Sequence, residues 1–456
     1  MSNPLGSEKV SKLMLKFAIP SIVAMLVGAL YNIVDQLFIG QRVGELGNAA
    51  TNIAFPLSTM CIALSLLFGI GGASCFNLSM GRGQKEKAGY FLGNSIVMLA
   101  VCGIVLCVIS EIFLTPLLKL FGSPADVLTL AQEYVRITAL GFPFLLLTTG
   151  GGHLIRADGS PRMTMICNIL GAVINTVLDA VFVLGFDMGM QGAALATVIG
   201  QFISATVVIR YFMHCKTIRL TRQHLIPKAG YVLEIASIGM ASFFNQIAMM
   251  VVQIVLNNSL KYYGAQSVYG EAIPIACAGI VMKVFQVFFS IVIGLSQGSQ
   301  PIESFNYGAK KYDRVRRAYK LALIFGGAVS LISFALFQLL PRQIISLFGT
   351  GSSESYYDFG IMYFRIFMFF TCINFLQPIT STFFTSIGKP IKGVFLSLTR
   401  QIIFLLPLIF ILPLFMGIDG IVYSGPVADC LAAIVTIIMA AFEFKNMKKL
   451  EFQLDN

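Results

Sequence analysis

The sequence contains no tryptophan and only three histidines, and just 12% of its 456 residues are charged. Soluble globular domains carry about 25% charged residues, so this composition excludes an ordinary soluble domain. The three histidines are dispersed, and none of the nine cysteines belongs to a C-x-x-C pair. These patterns give no metal site, and we expect neither a bound metal nor a disulfide.

Long apolar runs dominate instead. Hydrophobic residues make up 57% of the chain, and the mean hydropathy is +0.82. A membrane-spanning helix needs about 20 apolar residues, and twelve runs meet that length. The first run is too long for the apolar region of a signal peptide. The sequence therefore predicts an all-α integral membrane protein with twelve transmembrane helices, near residues 12–40, 50–78, 89–112, 127–150, 163–185, 190–213, 231–260, 267–301, 318–341, 355–385, 393–415 and 419–442.

The net charge of +11 follows the order of these runs. Both termini and the even-numbered connections are basic, for example "GRGQKEKAG" (81–89) and "GAKKYDRVRRAYK" (308–320), and the fourth connection holds Arg156 and Arg162. The odd-numbered connections hold only Arg42, Lys119, Lys261 and Arg342. By the positive-inside rule, both termini are cytoplasmic. Since topology explains the positive charge, nucleic-acid binding is an unnecessary interpretation.

The chain also repeats itself at an interval of 227 to 229 residues. Matching turn and helix-start glycines are Gly81 with Gly308, Gly159 with Gly388, and Gly192 with Gly420. We therefore expect two pseudo-symmetric six-helix bundles, at 1–213 and 231–456, joined by a basic cytoplasmic linker at 214–230. Each half has an even number of spans, so the repeat axis runs along the membrane normal. Such repeats favour a substrate pathway between the halves.

The N-terminal half places acids inside apolar spans, where an ionisable residue predicts a functional site. Asp179 lies in "NTVLDAVFVLG" one helical turn after Asn175, so both share a face. Ala193 and Thr197 share a face of the next span, which a short connection makes an antiparallel neighbour. We expect Asp179 to face Thr197, with Asp35 of span one as a second acid. This oxygen cluster suits a proton or a monovalent cation equally, while a simple Asp179–Thr197 hydrogen bond between helices is the structural alternative.

The C-terminal half is chemically different. The positions equivalent to Asn175 and Asp179 are apolar. Its spans instead contain residues that we expect to line a substrate cavity: Gln253, Lys283, Gln297, Arg400 and Asp429. Alternatively, one of the basic residues neutralises Asp429.

Two further sets of residues lie within or at the ends of the spans. Glu111, Glu271 and Glu303 are close to span ends, so we expect them to be interfacial charges that reach water. Prolines inside spans mark kinks or hinges, and they are Pro20, Pro56, Pro143, Pro378, Pro407 and Pro426.

Several motifs together resemble those of the multidrug and toxic compound extrusion (MATE) transporters, in the DinF- and MepA-like branch. They are "VDQLFIG" (34–40), "ADGSPRM" (157–163), "GLSQGSQPIESFNYGA" (294–309) and the N-x-x-x-D of span five followed by "GFDMGMQGAALAT" (185–197). The resemblance covers essentially the whole chain, and the combination is more specific than any single motif.

The resemblance implies a V-shaped pair of six-helix bundles in the plasma membrane. It implies that the protein, as a monomer without a cofactor, exports amphipathic and often cationic small molecules in exchange for H⁺ or Na⁺. In this branch, the residues that couple ion flow to export lie in the N-terminal half. The matching positions in this chain are Asp35, Asn175, Asp179, Ala193 and Thr197. Some relatives have an acid where this chain has Gln297, so a coupling site in the C-terminal half is not expected.

Two other classes of protein are alternatives to an antiporter. A flippase for lipid-linked precursors is the alternative within the same broader superfamily, but a cationic cavity has only Lys283 and Arg400 to support it. A membrane-embedded enzyme needs a nucleophile–base pair or metal ligands, and the sequence has neither. The short connections also leave no room for a catalytic domain, so we expect a transporter.

Overall fold

The computed structural model describes residues 3–43, 45–121, 123, 125–270, 272–346 and 354–455. These residues form helices and turns, with no strand among them. Ten helices are long and apolar enough to cross a membrane, and two bent helix pairs complete the set of twelve spans in the described part of the chain. The prediction of a twelve-span all-α membrane protein is confirmed.

The described residues of the N-terminal half form nine α-helices. Their bounds are α1 Pro4–Ser7, α2 Val10–Arg42, α3 Glu45–Gly81, α4 Lys85–Ile112, α5 Leu114–Leu120, α6 Ala125–Leu140, α7 Phe142–Ala157, α8 Pro161–Asp179 and α9 Gly189–Phe212. A π-helical segment, Ala180–Gly185, continues α8.

The C-terminal half follows a linker with one short 3₁₀ turn, Arg222–Leu225. Its α-helices are α10 Ala229–Ala265, α11 Ala272–Gly308, α12 Tyr312–Leu339, α13 Pro341–Ser346, α14 Glu354–Phe367, α15 Leu376–Ser386, α16 Pro390–Leu398, α17 Leu406–Met416 and α18 Ile418–Asp455. A 3₁₀ turn, Phe369–Cys372, lies between α14 and α15, and a π-helical segment, Thr399–Leu405, joins α16 to α17.

The fourth and tenth spans are each broken. The fourth bends by 55° between α6 and α7, just before Pro143, and the tenth bends by 42° before α15, which contains Pro378. A proline removes a backbone donor and obstructs the preceding turn, which explains breaks at these places. Pro20, Pro56 and Pro426 lie within continuous helices, since membrane helices tolerate proline where neighbours satisfy the freed carbonyl groups.

The N-terminal parts of α2 and α10 each pack against the opposite half. Leu13, Met14 and Phe17 of α2 belong to the hydrophobic core of the C-terminal half. In the same way, Ile235 and Ile238 of α10 belong to the core of the N-terminal half. The repeat is therefore visible in the packing, and each half depends on the other for its buried surface.

We call the contact of α2 and α3 with α10 and α11 the seam. A methyl group at Gly239 of α10 would lie 1.8 Å from the carbonyl oxygen of Leu67 on α3, and one at Gly81 would lie 2.1 Å from the carbonyl oxygen of Phe305 on α11. The helix backbones thus touch directly. The basic turns at 82–85 and 309–311 follow α3 and α11, so the seam is closed at the end that carries these turns.

Candidate functional site

Two carboxyl groups meet in the N-terminal half. Asp35 of α2 and Asp179 at the end of α8 lie within side-chain hydrogen-bonding distance. Asp179 is fully buried, and one oxygen of each carboxyl has no hydrogen-bond partner. Among the described residues, no Lys or Arg forms an ion pair with either acid. Because two adjacent negative charges repel strongly away from water, the pair must share a proton or hold a cation.

Asn175 connects this pair to α9. With its amide oriented to satisfy both polar atoms, the nitrogen donates to Asp179 Oδ2 at 3.1 Å, and the oxygen accepts from the Thr197 hydroxyl at 3.2 Å and from the Thr197 N–H at 3.1 Å. Thr197 therefore contacts Asn175, whereas the sequence suggested a direct contact with Asp179. α8 and α9 lie close together here, since a methyl group at Gly200 of α9 would lie 2.9 Å from Gly171 O and 3.3 Å from Asn175 Cβ.

The helix changes its winding immediately after Asp179. The π-helical segment Ala180–Gly185 starts there, and the equivalent span of the C-terminal half contains the π-helical segment Thr399–Leu405 with Arg400. π-Helical turns are rare and are frequent at functional sites. In both halves, this winding occurs beside a charged residue inside the membrane.

Two tyrosines that the sequence analysis missed surround the carboxyl pair. Tyr31 of α2 and Tyr134 of α6 both interact electrostatically with Asp35 and Asp179. Tyr31 lies one turn before Asp35, so helical spacing could have found it. Tyr134 comes from a distant span and has no local signal. Ala193 of α9 is buried one turn before Thr197, so all five sequence-selected residues lie on three mutually packed helices.

The expected cavity residues of the C-terminal half are not one cluster. Arg400 Nε donates to Asp429 Oδ1 in an ion pair that is largely buried, which is the neutralising alternative raised by the sequence. Gln253 donates to Asn257 on its own helix at 3.0 Å. Lys283 is exposed, and no ion pair is recorded for it among the described residues. Only Arg400 and Asp429 are brought together.

Gln297 has a different position, at the seam. Arg156 Nη2 donates to Gln297 Oε1 at 2.9 Å and lies 2.9 Å from His153 Nδ1. The expectation that Arg156 lies in a connecting loop is wrong, because α7 extends to Ala157 and buries Arg156 to 2% exposure. A guanidinium of the N-terminal half is thus bonded to the C-terminal half.

The three glutamates near span ends differ from one another. Glu111 is partly buried, and Glu271 lies outside the described residues. The expectation that Glu303 reaches water is wrong, because its side chain is completely buried. The apolar run of span eight ends near 301, but α11 continues to Gly308 and packs against α12 and α15.

Comparison with known proteins agrees with this architecture. The chain is 24% identical over 431 residues to the multidrug export protein MepA of Staphylococcus aureus (strain NCTC 8325 / PS 47), covering 94% of this chain and 93% of the relative. It is also 24% identical over 433 residues to MepA of Staphylococcus haemolyticus (strain JCSC1435), covering 95% of this chain and 93% of the relative. The solved outward-facing conformation of a multidrug resistance MATE family transporter of the MOP superfamily matches with a TM-score of 0.90 at 21% identity, over 98% of both chains.

The family assignment rests on both halves of the repeat. The MatE family model matches residues 20–181 in the N-terminal half and 241–411 in the C-terminal half. These segments contain the carboxyl pair, all of α3 and α11, and the larger parts of α2 and α10. The resemblance to MATE transporters is confirmed, and the chain belongs to the MatE family.

Proposed function

We propose that the protein is a multidrug efflux antiporter that exchanges amphipathic, often cationic compounds for H⁺ or Na⁺. The Asp35–Asp179 pair is the observation that carries this proposal, because two carboxyls without a basic partner need a proton or cation. The relatives named as multidrug export proteins support the substrate class. The flippase alternative gains no support, since Arg400 is already bound to Asp429.

The distribution of charge supports an orientation of the chain in the membrane. Basic turns favour the cytoplasmic side of the plasma membrane, and the seam is closed at the end that carries them. With that orientation both termini are cytoplasmic, and the closed end of the seam faces the cytoplasm. The inward-open state then requires α2 and α3 to separate from α10 and α11 at the seam.

Coupling requires that ion and drug bind the two states differently. In the proposed cycle, a cation enters from outside and binds among Asp35, Asp179, Asn175 and Thr197, with Ala193 buried one turn before Thr197 on α9. Its binding weakens drug binding on the outer side, and by linkage the drug weakens cation binding equally. The bound cation then favours the inward-open state, which releases it to the cytoplasm and accepts the next drug molecule.

The C-terminal half is assigned mainly to substrate contact. Gln253 and Lys283 are at least partly accessible and supply polar groups to the cavity, while Arg400 and Asp429 together add an ion pair without net charge. Gln297 bonds across the closed seam, so it joins the cavity when the seam opens. The cycle needs no cofactor, and one chain surrounded by membrane lipid contains every group it uses.

The test is drug efflux from proteoliposomes driven by a pH gradient alone or by a Na⁺ gradient alone. We expect one gradient to drive efflux in the wild type and neither to do so in Asp179→Asn. Asp187→Asn is the matched control, because Asp187 is exposed, has φ +55°, which asparagine tolerates, and binds Arg42. The Arg42 guanidinium holds the pKa of Asp187 below its ordinary value. Gradient-driven efflux by Asp179→Asn at the wild-type rate would contradict the proposal.

A further inference from the structure

A second carboxyl group is enclosed without a counter-charge, in the C-terminal half. Glu303 of α11 has no exposed surface, and neither of its carboxyl oxygens has a recorded hydrogen-bond partner. No ion pair to Glu303 is recorded among the described residues. An isolated ionised carboxylate away from water is very costly, so the enclosed side chain must be accompanied by a proton or another cation.

Hydroxyl groups line the space around this carboxyl. The hydroxyls of Ser299, one turn earlier on α11, and of Ser386, on α15, lie within side-chain hydrogen-bonding range of Glu303. At present each donates to its own helix, Ser299 to Ser296 O at 2.9 Å and Ser386 to Thr382 O at 2.8 Å. Hydroxyl groups rotate freely, so both serines are able to turn towards an ionised carboxylate.

The charged and titratable neighbours of Glu303 are few. On α12, Tyr319 interacts electrostatically with it, and the Tyr319 hydroxyl shares a 2.7 Å hydrogen bond with Thr380 of α15. The lysines beside α15, Lys389 and Lys392, are bound to Glu443 of α18. Lys389 and Lys392 are thus engaged elsewhere, and Arg82, which interacts electrostatically with Tyr307 one turn after Glu303, forms no ion pair with Glu303 in the described part of the chain.

The same helix forms the seam on its other side. Gln300, one turn before Glu303, donates to Ile70 O at 3.2 Å and to Ser74 Oγ at 2.8 Å on α3. We expect opening of the seam to break these bonds and to admit water beside α11. The exposure of Glu303 to water is therefore tied to the opening of the seam.

We propose that Glu303, with the hydroxyls of Ser299 and Ser386, forms a second proton-binding site, which loads a proton when the seam closes and releases it when the seam opens. One carboxylate and two hydroxyls are few ligands for a metal ion, since hard cations take six or more oxygens, so the ligand is a proton. The closed seam favours the neutral acid because burial penalises charge. By reciprocal linkage, a proton on Glu303 stabilises the closed seam.

The first test reads the carboxyl group directly and needs no transport. In an Asp35→Asn/Asp179→Asn background, infrared spectroscopy of purified protein follows the protonated-carboxyl band as pH is raised. We expect a band at neutral pH that declines at higher pH and is lost with Glu303→Gln, whereas Glu303→Asp retains a titrating band. A band that Glu303→Gln leaves unchanged, or that stays constant over the pH range of the folded protein, would overturn the proposal. A band removed by Na⁺ at fixed pH would do the same, because it would indicate a metal-ion site.

The second test measures the accessibility of the seam to a solute in water. The chain has no tryptophan, so Tyr307→Trp introduces a single reporter at a residue that packs against the cores of both halves. In the same background, we expect raised pH to increase quenching of this reporter by acrylamide, and Glu303→Gln to remove the pH dependence. Equal pH dependence with and without Glu303 would contradict the link to the seam. Neither test measures efflux. If the protein is an antiporter but Glu303 binds no proton, these two tests fail while the efflux test succeeds. If Glu303 binds a proton but the protein is not an antiporter, the outcomes are reversed.

Discussion

Closure of the seam depends on close approach of α2 and α11, and Gly298→Ala tests this dependence. A methyl group at Gly298 would lie 2.6 Å from Ala18 Cα and 2.8 Å from Ala18 N. These are backbone atoms of a helix, so no side chain is able to move aside, and the two helices must separate. Overpacking of this kind costs about 1–3 kcal/mol. Since the cost applies only while the seam is closed, we expect the ratio of open to closed molecules to rise about 5–150-fold.

Gly279→Ala is the matched control on the same helix. A methyl group there has no atom within 4 Å, and alanine favours the helix by about 1 kcal/mol. The assay is acrylamide quenching of the Tyr307→Trp reporter, with thermal unfolding of each variant measured in parallel. We expect Gly298→Ala to increase quenching and Gly279→Ala to leave it unchanged. Equal quenching in the two variants would refute the inference that α2 and α11 separate when the seam opens.

Two other variants address the polar groups inside the membrane. Thr197→Val removes a hydroxyl bonded to Asn175. The loss of about 1 kcal/mol should raise the driving-ion concentration for half-maximal efflux about fivefold. Thr206→Val is the control, because it loses only a bond within α9 and should leave that concentration unchanged; equal effects would refute the role of Thr197. Arg400→Ala leaves Asp429 buried without its partner and should destabilise the protein by about 3–5 kcal/mol, measured by thermal unfolding in detergent. The double variant Arg400→Met/Asp429→Leu should recover most of that lost stability. If Arg400→Ala is as stable as the wild type, the ion pair does not stabilise the protein.

Local patterns were sufficient to predict much of this protein. Runs of apolar residues predicted the spans, because a membrane helix must satisfy its own backbone and cover itself with apolar side chains. The i, i+4 spacing placed Asn175 and Asp179 on one face, and the short connection placed α9 beside them. Asp35 was predicted as a second acid because it lies inside the first apolar span, and the resemblance to MATE motifs supported its grouping with Asp179, which no local spacing could establish.

The residues that sequence reasoning misplaced are those whose surroundings come from distant helices. Arg156 and Glu303 lie beyond the ends of apolar runs, yet both helices continue and are enclosed by packing between or within the halves. Hydropathy reports the transition to polar sequence and cannot report burial among other helices. Tyr134 approaches the carboxyl pair from the fourth span, and only the tertiary fold determines that contact.

The central claim is that the Asp35–Asp179 pair binds an ion that the drug displaces. The most direct measurement is ion release on drug binding by purified protein, followed with a pH indicator in weak buffer and with radioactive Na⁺. The measurement is repeated with Glu303→Gln added to each protein, so that any proton bound or released by Glu303 is identified. We expect the wild type and Asp187→Asn to release the ion and Asp179→Asn to bind drug without release. Undiminished release by Asp179→Asn would contradict the claim.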